Sequence, residues 1–172
     1  MRALLDSLYR LSGALAAIGM VATLVLVGAG VFSRPLGIYL PGTDDYAGYA
    51  MAACGFLALA YTFKHGEHIR VSLLLDRAGP RLRAALEWFS LATATTVAAM
   101  LAFYAVRLVW QSHEFEEISQ GVDATPLWIP QLSMAIGSVV LLIALIDDLV
   151  MTMLGRAPAR LATHSGEAAR ME

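Results

Sequence analysis

Four stretches of this sequence run for about twenty residues or more with almost no charge away from their ends, the length a helix needs to cross a bilayer. A soluble helical bundle places charge along the outer face of every helix, and these stretches leave no such face. Composition agrees once the question is posed. Apolar residues make up 58% of the 172 positions and charged residues 15%; globular chains average about 45–50% and about 25%. The expected fold is all-α and integral to a membrane, with four transmembrane helices.

The first span covers residues 9–32, about 34 Å of helix. Its apolar run is longer than the core of a cleaved signal and lacks a clear A-x-A site, so a retained first span is expected. Ser33-Arg34-Pro35 stops it and Pro41-Gly42 turns the chain. Thr43 is then an N-cap candidate, with Asp44 and Asp45 in the first turn of a second span that ends near Phe63. A charged connector, 64–83, follows. Gly79-Pro80 breaks it, leaving a short surface helix expected over residues 67–78. The third span, 84–110, carries Trp88 and Trp110 about 33 Å apart as interfacial anchors. The fourth, 128–149, ends in Asp147 and Asp148 at the far interface. Residues 1–155 thus form one transmembrane domain, and 156–172 a polar tail expected to be disordered.

Basic residues set the orientation. With the N-terminus inside, ten of the 12 Lys and Arg residues fall in cytoplasmic segments, and only Arg34 and Arg107 lie outside. That bias predicts cytoplasmic N- and C-termini.

Little in the chain suggests catalysis. The run from His113 to Glu117 resembles half of a zinc-protease helix, but Glu117 stands where the second histidine belongs. A site of His113, Glu117 and another carboxylate is the metalloenzyme alternative; a solvated acidic loop is the simpler reading. A haem anchor would need histidines inside its spans. His65, His68, His113 and His164 all lie in connectors or the tail. Cys54, the single cysteine, reads as a small buried residue. A net charge of −2 offers no footprint for nucleic acid. Ionisable groups mark ion pathways, and the central turns of spans one, two and four carry none. No cofactor or metal is expected, and the chain does not read as an enzyme.

Packing features are clearer. Gly48, Ala52 and Gly55 share one face of span two, where small side chains let another backbone approach closely. Ala50 and Ala53 lie on the opposite face, where bulk is expected to be milder if that face meets lipid.

The stretch Phe63-Lys64-His65-Gly66-Glu67-His68-Ile69-Arg70-Val71, leading into Leu73-Leu74-Leu75, resembles the signature of the small permease subunit of TRAP (tripartite ATP-independent periplasmic) transporters, the DctQ family. Arg34 after span one, Asp44 and Asp45 opening span two, and Leu127-Trp128-Ile129-Pro130 opening span four match the same family, over residues 8–152. Two positions depart from it. Asp45 stands where Glu is frequent, keeping the charge, and Ser72 stands where Asp is frequent, losing one.

The resemblance implies a scaffold subunit of a sodium-coupled secondary transporter in the bacterial inner membrane, importing an organic acid. Its partners would be a large DctM-type permease subunit and a periplasmic solute-binding protein. The candidate partner-contact residues are Arg34, Asp44, Asp45, Glu67, His68 and Arg70, beside the Gly48, Ala52 and Gly55 stripe. The plainer readings are helix-start charges for Asp44 and Asp45 and a solvated basic inner loop for Glu67, His68 and Arg70. An accessory subunit of another membrane complex, or a small metalloenzyme or redox subunit, is the alternative.

Overall fold

The computed structural model describes residues 2–64 and 80–154. The expected helix at 67–78 and the tail at 156–172 lie outside the described residues. Four helices account for nearly all of the rest: α1 (Arg2–Ser33), α2 (Thr43–Lys64), α3 (Pro80–Glu114) and α4 (Trp128–Met153). Each is long and apolar enough to cross a membrane.

Helix ends follow from local chemistry. Pro35 disfavours helical geometry at Arg34, and α1 closes at Ser33, whose hydroxyl donates to the Gly30 carbonyl at 3.1 Å. The start of α2 differs from expectation. Gly42, at φ +74°, precedes the first helical residue, and its carbonyl accepts from the Tyr46 N–H at 3.1 Å. Thr43 is already helical, and its hydroxyl donates back to Leu40 O at 3.4 Å rather than capping an N–H. Pro80 opens α3, where its missing N–H costs nothing. Pro130 sits in the first turn of α4 for the same reason.

The helices stand in a row, α1–α2–α4–α3, each packed on its neighbours, with α1 and α3 on the outside. Antiparallel order puts Tyr9, Lys64 and Asp148 at one end and the 34–42 and 115–127 loops at the other. Small residues bring the neighbours together. A Cβ on Gly19 would lie 3.1 Å from Ala50 O and Cys54 N of α2. One on Gly137 of α4 would lie 2.5 Å from the Phe56 carbonyl carbon and oxygen of α2. The buried apolar set is correspondingly rich in alanine, including Ala16, Ala47, Ala60, Ala98, Ala102 and Ala144. Lipid tails are as apolar as leucine, so association in a membrane rests on close packing of this kind. The Ser12 hydroxyl adds an interhelical bond to Leu57 O at 2.5 Å.

Two apolar clusters hold the row. Tyr9, Ala60, Val140 and Ala144 join α1, α2 and α4. Leu91, Ala98 and Leu145 join α3 to α4. The large side chains turned outward, such as Ile18, Leu24 and Val25 on α1 and Phe89, Phe103 and Val106 on α3, suit a hydrocarbon surround.

Candidate partner-contact surfaces

At the loop end, the Arg34 guanidinium lies 3.6 Å from the Asp44 carboxylate. Their side chains are 77% and 82% exposed, so solvent screens the pair and it adds little stability. Asp45, one residue on, faces the 115–127 loop. A Cβ on Gly121 would collide with the Asp45 carboxylate, so the loop backbone sits directly against that side chain. The loop is also tied to α2 by Tyr49, whose hydroxyl donates to Ser119 Oγ at 2.9 Å. Within the loop, Ser119 N–H donates to Thr125 O at 2.8 Å and Leu127 N–H to Glu117 O at 2.9 Å. Sequence reasoning thus placed Arg34, Asp44 and Asp45 at one end, and the structure gathers them around a cavity of about 380 Å³ lined also by Thr43, Gly121 and Val122.

The stripe on α2 faces outward. A Cβ added at Gly48 or Gly55 would meet nothing within 4 Å, and both line an open groove of about 530 Å³ with Met51, Ala52, Phe56 and Leu59. Among the described residues, none packs within 4 Å of where a Cβ on Gly48 or Gly55 would sit. On the opposite face the condition for a milder change is not met at Ala50, whose side of α2 packs on α1 at Gly19. Helix α1 has glycine at the level of Ala50 and Cys54, so the α2 backbone comes close to it there. Glu67, His68 and Arg70 lie outside the described residues.

At the other end is a site that sequence reasoning missed as a unit. The Lys64 ammonium lies 2.5 Å from Asp147 Oδ2 and 3.3 Å from Asp148 Oδ1. The three side chains are 10%, 31% and 1% exposed. The same ammonium stands 5.2 Å from the centre of the Tyr9 ring, a cation–π distance. One cation therefore links α1, α2 and α4 where the helices end. The signal was present: opposite charges at the same level of antiparallel spans.

The half-motif at His113 is spent on separate contacts. The His113 ring packs edge-on to Trp128 with centroids 5.5 Å apart, joining α3 to α4. Glu114 accepts from the Trp110 indole at 3.1 Å, and Glu117 from the Ser112 hydroxyl at 2.6 Å.

Four apolar helices in a row, bonded to one another by small residues and by one ionic junction, define a multi-pass membrane protein. A family model described as tripartite ATP-independent periplasmic transporters, DctQ component, matches residues 23–155. The chain belongs to that family and is a small membrane subunit of a TRAP transporter. A comparison with curated proteins finds no match.

Proposed function

We propose that this chain is the fixed scaffold of a sodium-coupled, binding-protein-dependent importer of an organic acid. The large permease subunit would move the solute and the sodium ions. The observation that carries this reading is the outward stripe of Gly48, Ala52 and Gly55, which offers close backbone packing to a helix that is not part of this chain. The internal Lys64–Asp147–Asp148 junction supports a rigid role, since it joins three of the four helices at one end.

The basic bias supports an inner-membrane orientation with both termini cytoplasmic. The loop end, with Arg34, Asp44, Asp45 and the tethered 115–127 loop, would then face the periplasm. There it presents polar groups to a solute-binding protein. Reconstitution tests the division of labour. Liposomes holding this subunit alone should show no sodium or solute flux above empty vesicles. Addition of the large subunit and the binding protein should restore uptake. Robust flux from the pure subunit would overturn the scaffold reading.

A further inference from the structure

Arg107 stands on the outward face of α3, three residues and about 4.5 Å of helix rise before Trp110. The core-facing residues of this helix, Ala98, Ala102 and Ala105, lie on the other side. The ion pairs among the described residues are formed by Arg34 and Lys64, so no carboxylate of the described chain pairs with Arg107. An ionised group in a membrane span is costly unless it reaches water or a counter-charge. An arginine this near an interface reaches outward along its own methylene stem.

The surface around it is shaped. On one side runs a groove of about 420 Å³ lined by Leu101, Leu108 and Met134 together with Tyr104, Arg107 and Gln111. On the other runs a groove of about 520 Å³ along Phe103, Val106 and Val139. Arg107 borders both. Tyr104 and Gln111 fall three before and four after it, so hydroxyl, guanidinium and amide donors share one stretch of helix.

We propose that this face of α3 binds one diacyl glycerophospholipid, its phosphate on Arg107 and one acyl chain in each flanking groove. A guanidinium offers a phosphate two parallel N–H donors, the geometry in which arginine exceeds lysine. Tyr104 and Gln111 supply further donors to the same anion. The bare cation selects the phosphate, and the paired apolar grooves select two chains over one.

The test uses the full-length chain, stripped of lipid in detergent and observed by native mass spectrometry. Dioleoyl phosphatidylglycerol, dioleoyl phosphatidylethanolamine and dioleoylglycerol are titrated in turn. Both phospholipids should be retained at one per chain, and dioleoylglycerol about tenfold or more weaker, as loss of a charge-assisted bond implies. Arg107→Gln should weaken both phospholipids to the level of dioleoylglycerol, and Arg107→Lys should keep part of the difference. Because Arg107 is exposed, the lipid-free unfolding midpoint of Arg107→Gln should match wild type. Equal phospholipid retention by wild type and Arg107→Gln would overturn the site, as would equal binding of dioleoylglycerol. An Arg107→Gln chain that keeps its lipid but loses a membrane partner would place a protein carboxylate there and also overturn it.

Discussion

The Lys64 ammonium and the Asp147 carboxylate meet at 2.5 Å across the α2–α4 contact, with Lys64 only 10% exposed. Asp148, beside them and buried, shares the same ammonium at 3.3 Å. Removing the cation would leave two carboxylates in a poorly hydrated place. Lys64→Met should therefore cost about 3–5 kcal/mol, the range for breaking a buried pair by deleting one partner. Asp147→Asn should cost clearly less, because Asp148 still neutralises the lysine. Unfolding of each variant in mixed micelles measures both. A Lys64→Met chain as stable as wild type would remove the junction from the account.

Gly137 makes a second, independent prediction. Its missing Cβ leaves room for the Phe56 backbone, which a side chain would approach to 2.5 Å. Gly137→Ala must push α4 away from α2 and should lose about 1–3 kcal/mol, the usual cost of overpacking. Gly28→Ala is the control, since a Cβ there meets nothing within 4 Å. Thermal unfolding midpoints should fall for the first and hold for the second.

Orientation is open to labelling with an impermeant thiol reagent on intact cells in a Cys54→Ser background. Gly42 is an unsuitable position, because its φ of +74° strains any other residue. Tyr39→Cys and Val122→Cys, 80% and 64% exposed, should label from outside. Ser72→Cys should not. The reverse pattern would invert the proposed topology.

The four spans were legible because membrane helices announce themselves by length and absence of charge, and residues 9–32, 84–110 and 128–149 fall inside α1, α3 and α4. Their ends lie further out, since the helices continue past the apolar run: α1 stops just before Arg34-Pro35, and α3 runs on to Glu114, with Glu116 at φ 49° just beyond it. The order of packing was not legible. Whether Ala50 or Ala52 faces α1 depends on where glycines of another helix fall, and span two has small residues on nearly every side. The Lys64 junction is half legible: Asp147 and Asp148 read as interfacial and Lys64 as the first residue of a connector, but their partnership needs three helices brought together. Thr43 failed as a side-chain cap because Gly42, with its positive φ, had already supplied the backbone geometry for the first turn.

The scaffold account stands or falls on the outward face of α2. Gly55→Leu and Ala52→Leu add bulk where the described residues leave an open groove. Both variants should therefore insert in the membrane and keep the wild-type unfolding midpoint. Ala50→Leu, against Gly19, should instead destabilise the chain itself. The direct measurement is co-purification of each variant with the large permease subunit from membranes that express both. The account predicts that Gly55→Leu and Ala52→Leu remain folded yet lose most of the bound large subunit, and with it solute uptake. Full co-purification and wild-type uptake by both would contradict it.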